Sequence, residues 1–179
     1  MNRKWKIGIL VTVLFGIESI FPNFFPEYLF ADTYIFVPRF LFLFLILLAI
    51  FYDWKKAVFL AIGLGLLMDI VFIEILGIYT FWYPAIIYLV SKVMKVLHSH
   101  LAIVAMVALL AITVLEYGIY GMFYIIRIHD FPHVYFLEHR LIPTLILNFI
   151  VYLIMSYPMK KKLTLWKKAK EEEEGMFQS

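Results

Sequence analysis

Val37-Pro38-Arg39-Phe40-Leu41-Phe42-Leu43-Phe44-Leu45-Ile46-Leu47-Leu48-Ala49-Ile50-Phe51-Tyr52 runs without a break into Asp53-Trp54-Lys55-Lys56. A helix needs roughly 17–25 mostly apolar residues to cross a bilayer, and this run, extended back to Tyr34, has that length. Pro38 suits the first turn of a helix, where its missing N–H costs nothing. The span is therefore expected to open beside Arg39 at one membrane surface and to close at the turn Asp53–Lys56.

The rest of the chain repeats this design. Six spans are expected: Ile7–Phe25, Tyr34–Tyr52, Ala57–Ile73, Ile75–Met94, Leu101–Ile126 and Leu141–Met159. Only Glu74 and Gly77 mark a break between the third and fourth, so that pair should form a tight hairpin. The 179 residues are 64% hydrophobic and only 16% charged, against about 25% charged in a soluble domain. Mean hydropathy is +0.91. With no cysteine, disulfides, thiolate metal sites and cysteine nucleophiles are ruled out.

Charge placement orients the spans. With the N-terminus inside, 13 of the 16 lysines and arginines fall in cytoplasmic segments (Arg3, Lys4, Lys6, Lys55, Lys56, Lys92, Lys95 and the six lysines from Lys160 to Lys170). Only Arg39, Arg127 and Arg140 fall outside. That bias follows the positive-inside rule at every loop, so the basic residues report topology rather than nucleic acid. The reading is an all-α integral membrane bundle of six helices, N-in and C-in. Residues 1–159 form the membrane domain and residues 160–179 a charged cytoplasmic tail. The N-terminal run carries Glu18 and lacks a small-residue cleavage site, so it reads as a retained first span. The tail sets Trp166 near the headgroups, reverses sign at Glu171–Glu174, and is expected to be solvated and partly disordered, its lysines drawn to anionic lipid. No long repeat is visible.

Ionisable residues in spans are costly and deserve a functional hypothesis. They are Glu18, Arg39, Asp69, Glu74, Glu116 and Arg140, with Asn148 as an uncharged addition. Ala57, Ala61, Gly65 and Asp69 recur every four residues, and small residues at that spacing admit a neighbouring backbone. The fifth span has a comparable face (Ala102, Ala105, Ala108, Ala111, Gly118, Gly121), with Glu116 just off it. The third and fifth helices are thus expected to be central. Arg39, Arg140, Glu18 and Glu74 lie at one level near the exterior and suggest ion pairs between helix ends. Three roles stay open: bridges that organise the bundle, contacts with a partner or ligand, and ion relay. The clustering of the acids in the outer half argues against relay.

His98, His100, His129, His133 and His139 lack a paired acidic ligand motif, and Pro132 interrupts the spacing of His129 and His133, so no metal is expected. No zinc-protease, nucleophile-elbow or phosphate-loop pattern occurs, and Asp69 alone lies deep enough for intramembrane aspartyl chemistry. No enzyme and no cofactor is expected.

Several stretches resemble the bacterial rod shape-determining MreD family. They are Glu18-Ser19-Ile20-Phe21, Val37-Pro38-Arg39-Phe40, Gly63-Leu64-Gly65-Leu66-Leu67-Met68-Asp69, Leu76-Gly77, Ser91–His98, Leu115-Glu116-Tyr117, and Arg140-Leu141-Ile142-Pro143-Thr144 with Asn148. The resemblance implies a non-catalytic scaffold subunit of the cell-elongation complex. Its partner would be an MreC-like single-span protein, and through it RodA, a transpeptidase and MreB filaments. The resemblance also implies a fold similar to the S components of energy-coupling-factor transporters. In that light Ala57, Ala61, Gly65, Gly77, Pro143 and Asn148 would pack helices, while the charged set would bind the partner or organise the bundle. The alternative is an S-component-like subunit that binds a small molecule among Phe24, Phe25, Tyr28, Phe30, Tyr34, Trp82 and Tyr83. Those rings equally suit an interfacial aromatic belt. A lipid-binding module is a third class left open.

Overall fold

A helix that is apolar on every side has no solvent face and belongs at the centre of a bundle. Phe40–Phe51 is such a helix, and it is the innermost element: Leu41, Phe42, Phe44, Leu45, Ile46 and Leu48 have no exposed surface. The structure, a computed structural model, describes residues 3–24, 34–73, 75–97, 99–127 and 132–176. The described residues contain helices and no strand. In order they are α1 (Arg3–Phe24), α2 (Phe40–Phe51), α3 (Trp54–Met68, continued by a π-helical turn Asp69–Ile73), α4 (Ile78–Val93), α5 (Leu101–Ile126), α6 (His133–Phe136) and α7 (Ile142–Met176). A second π-helical turn, Leu137–Leu141, joins α6 to α7, so the two form one rod. Trp54–Ile73, Leu101–Ile126 and His133–Glu173 are each long and apolar enough to cross a membrane.

Six rods thus stand where six apolar segments were expected, with three differences. First, α2 begins at Phe40, and residues 34–39 are not helical. Pro38 does not open the helix. It belongs to the non-helical segment before the helix, where a proline disfavours the helical region for the residue that precedes it. Second, the centre is α2 rather than α3 and α5, because α2 alone offers large side chains in every direction. Third, the tail expected to be partly disordered is helical over its described part: α7 runs past Pro158 to Met176. Met159 and Leu163 are buried on its inner face.

The α7 extension is tied to the α2–α3 turn. Asp53 caps α3, accepting from the Lys55 and Lys56 N–H groups, and its other oxygen takes Lys170 Nζ at 3.0 Å. Burial pushes the Asp53 carboxyl up, but the Lys170 hydrogen bond and charge, with the two N–H groups, outweigh it and hold the pKa below its ordinary value. The folded pKa being depressed, this tether is present above the ordinary carboxylate pKa and is lost as pH falls through the lowered one.

The closest helix pair is α3–α4. Ala57 and Ala61 have no exposed surface, and the stripe they form with Gly65 faces α4. A Cβ on Gly65 would lie 2.5 Å from the Tyr79 carbonyl oxygen and 2.8 Å from Thr80 Cα. Those are backbone atoms and cannot swing away. Gly77 closes the hairpin at φ 112°, a conformation in which glycine avoids a Cβ penalty.

Gly65→Ala is expected to destabilise the bundle by about 3 kcal/mol, the upper end for overpacking. Gly63→Ala, whose Cβ would meet nothing within 4 Å, should be neutral or stabilising by up to about 1 kcal/mol. Heating the detergent-solubilised variants and measuring the surviving monodisperse fraction separates the two.

Candidate functional site

The polar residues gather at one end of the bundle, in two constellations built on helix starts. The first surrounds the entry to α2. Four N–H groups at a helix start have no intrahelical acceptor, and here they are buried. Glu18 of α1 accepts from Leu41 N at 2.9 Å, placing a carboxylate at the positive end of the helix dipole. Asn148 of α7 accepts from Arg39 N at 2.8 Å and donates its amide to the Val37 carbonyl at 2.9 Å. One turn earlier on α7, Thr144 Oγ1 accepts from Val37 N at 3.2 Å. Pro143 completes the set. Its missing N–H leaves the carbonyl four residues back without a helical partner, and that carbonyl, of His139, accepts from Ile35 N at 2.7 Å. Segment 34–39 is thereby held along the α6–α7 rod through the N–H groups of Ile35, Val37 and Arg39.

Arg39 turns inward from this entry. Its Nε donates to Glu116 Oε1 at 2.8 Å, and Nη2 lies 2.6 Å from the same oxygen. Nη1 donates to Tyr79 Oη at 2.8 Å, with the guanidinium over the Tyr79 ring. Arg140 Nε reaches the other Glu116 oxygen at 3.2 Å. Glu116 is fully buried, Arg39 is 3% exposed and Arg140 is 27% exposed. A single carboxylate on α5 therefore joins the α2 entry, the α6–α7 rod and, through Tyr79, the start of α4. Glu18, also buried, brings a second carboxylate close to the cluster, so two acids accompany the two arginines.

The second constellation is Asp69, which has no exposed surface. Its carboxylate accepts from Gly77 N (2.9 Å), Tyr79 N (2.7 Å), Thr80 N (3.0 Å) and Thr80 Oγ1 (2.6 Å). It caps α4 from the end of α3. An aspartate at the end of an apolar helix reads as unpaired in one dimension; in the fold it is an N-cap supplied by the preceding helix.

Of the expected ion pairs at the exterior level, Arg39 and Arg140 do pair, but with Glu116. Glu18 instead accepts from a helix start, and Glu74 lies outside the described residues. Ala57, Ala61 and Gly65 sit on the α3–α4 seam, and Gly77, Pro143 and Asn148 serve turns and the α2 entry. Thr144 and Tyr79 were missed as site residues; a threonine four residues before Asn148 on one helix face was the available signal. Of the rings proposed to line a pocket, the side chains of Phe24, Phe25, Tyr28 and Phe30 lie outside the described residues. Tyr83 is buried against Phe42, Tyr34 stacks on His139, and Trp82 packs against Gly118, so these three do not meet in one cavity. His133 Nε2 is 3.2 Å from Tyr117 Oη, and His139 Nδ1 is 3.2 Å from the Tyr135 carbonyl. His98 and His129 lie outside the described residues. Among the described residues no three His, Asp or Glu side chains converge as metal ligands.

Glu116→Gln is expected to cost roughly 3–5 kcal/mol, because it leaves the buried Arg39 without its counter-charge. Arg140→Gln, at the rim, should cost about 1 kcal/mol or less. The heat stability of the solubilised variants checks this; an E116Q protein as stable as R140Q would contradict the central place given to Glu116.

The family model for the rod shape-determining protein MreD matches residues 3–165. The chain is also similar to the rod shape-determining protein MreD of Bacillus subtilis (strain 168), 30% identical over 158 residues that cover 88% of this chain and 92% of that one. No solved structure matches it. The Glu18, Arg39, Asp69, Glu116 and Arg140–Asn148 positions all fall inside the matched range, and the chain belongs to the rod shape-determining MreD family.

Proposed function

We propose that this chain is a non-catalytic scaffold subunit of the bacterial lateral cell-wall synthesis complex. It spans the cytoplasmic membrane six times with both termini inside, residues 1–159 forming the membrane domain and residues 160–179 the charged tail. It maintains rod shape by binding the transmembrane and juxtamembrane part of an MreC-like partner. Through that partner it joins RodA, a transpeptidase and MreB filaments.

Side-chain contacts support the orientation. Lys55 and Lys95 both lie over the Trp54 ring, Lys160 lies over Phe51, and Lys170 pairs with Asp53. The loops rich in lysine therefore share one end of the bundle, while Arg39 and Arg140 meet at the other. Such segregation accords with lysines inside and the polar hub in the outer half.

The observation that carries the scaffold reading is a division between inside and outside. The buried acids Glu18, Asp69 and Glu116 are each engaged in holding helix ends, which supports a bundle-organising role for them and for Arg39. What the bundle presents outward is apolar relief. One groove between α4 and α5 measures about 410 Å³ and is lined by Trp82, Val114, Gly118, Gly121 and Ile125 among others. Gly121 is a notch in its floor, with nothing within 4 Å of a built Cβ. In lipid, helices associate by van der Waals contact at such small residues. The groove lies toward the outer ends of both helices, where a partner with an extracytoplasmic part would leave the membrane.

Gly121→Leu fills the notch from a Cβ that meets nothing within 4 Å, and protein level and heat stability are expected to be unchanged. Recovery of the MreC-like partner in mild-detergent affinity purification should fall about tenfold, the loss for one close-packed contact of about 1.4 kcal/mol. Unchanged partner recovery would remove this groove as the docking site. Gly118→Ala is the contrasting control: its Cβ would run into the Trp82 ring, and it should lower stability.

A further inference from the structure

At the lysine-rich end, α1 and α7 leave a hollow between them. It is lined by Lys6, Ile9, Leu10 and Val13 from α1 and by Lys162 and Trp166 from α7, with a volume of about 390 Å³. Ile9 and Val13 also wall a second hollow of about 600 Å³ that lies over Gly8 and Thr12 on the outer face of α1. The two hollows thus flank a ridge made by Ile9 and Val13, each about half exposed.

The chemistry of the first hollow is amphipathic. Its floor is aliphatic, and its rim carries an ammonium on each wall and an indole. Lys6 and Lys162 are exposed, and among the described residues no carboxylate pairs with either. Two uncompensated cations facing one cleft raise the local concentration of anions. Apolar walls below them exclude a purely polar anion as the full occupant. A hydrocarbon chain is thin enough to enter the hollow.

We infer that this cleft binds an anionic phospholipid, its phosphate between Lys6 and Lys162 and its two acyl chains astride the Ile9–Val13 ridge. The inference rests on the reading of the bundle as membrane-spanning, and not on the MreC-like partner or on the α4–α5 groove. α1 packs chiefly on α2, so a lipid seated here would act as the filler that joins the first helix to the last.

The test is native mass spectrometry of the full chain in detergent, titrated with phosphatidylglycerol or with phosphatidylcholine of the same acyl chains. At about 1 kcal/mol per lysine near an anionic surface, phosphatidylglycerol should be preferred by roughly tenfold to thirtyfold. Lys6→Gln with Lys162→Gln should bring it down to the phosphatidylcholine level, while Lys161→Gln with Lys168→Gln, on the same helix but outside the cleft, should leave it within about twofold of wild type. All four lysines lie on the surface, and equal heat stability of the variants confirms intact bundles. No headgroup preference in the wild type overturns the inference, as does equal loss in the control pair, which would mean diffuse charge attraction. Retained lipid binding in the K6Q/K162Q protein with lost partner recovery also overturns it, by assigning the cleft to a partner helix. Partner recovery from the G121L protein reads out the scaffold proposal separately.

Discussion

The entry of the chain into α2 is the constraint from which most of the structure follows. At about 1.5 Å per residue, the 12 residues of α2 cover about 18 Å, well short of the roughly 30 Å of a hydrocarbon core. The non-helical residues 34–39 lead into α2. Backbone at that depth has no water to turn to, and each unmet N–H or carbonyl costs several kcal/mol. Every neighbour of the segment is accordingly specified: the His139 carbonyl released by Pro143, the hydroxyl of Thr144, the amide of Asn148 and the carboxylate of Glu18. A half-helix approached by irregular chain is tolerated in a membrane only where protein surrounds it. That is why the shortest of the long apolar segments is also the most buried.

Glu116 converts this local solution into a global one. Without it, Arg39 would place a cation in the core beside the α2 entry, and a buried charge without a partner is unstable by several kcal/mol. With it, the arginine fixes the distance between α2 and α5, and its Nη1 holds Tyr79 at the start of α4. Asp69 holds the same turn of α4 from the α3 side. One carboxylate thus holds the start of α4 directly, and a second reaches it through Arg39. Charge-assisted hydrogen bonds of this kind are about twice as strong as neutral ones. They are also directional, which van der Waals packing between apolar helices is not.

The sequence disclosed the apolar rods, the lysine-rich end and the identity of the polar residues, because each is a property of composition along one dimension. The α3 stripe was legible as well: small residues every fourth position announce a close backbone approach, and α4 makes it. What the sequence hid was pairing. Arg39 and Arg140 were visible, but which acid they share depends on α5 being set between α2 and α7, and no spacing rule reaches across 77 residues. The start of α2 was hidden for a different reason. A proline before an apolar run serves equally as a first helical residue or as the end of a non-helical segment, and what decides is an acceptor more than 100 residues away on α7. Pro143 is the same ambiguity resolved the other way: its meaning lies in the carbonyl it frees.

The two ends of the bundle are built from different interactions, and this difference bears on what each can do. At the hub, Glu116, Arg39 and Asp69 are buried and engaged with their neighbours, so moving one helix end breaks several charge-assisted bonds at once. At the other end, lysines rest over the rings of Trp54, Tyr88, Tyr52 and Phe51, and the Asp53–Lys170 pair is partly exposed. Exposed pairs and cation–π contacts are each worth about 1 kcal/mol or less and can exchange one anion or ring for another. A rigid hub end gives a groove such as the one beside Gly121 a fixed shape, which suits close van der Waals packing in lipid. A compliant lysine-rich end suits occupants that are held by charge. The asymmetry originates in the requirement at α2: the chain spends its buried polar groups where irregular backbone enters the membrane, and leaves its lysines for the surface where the helices are regular.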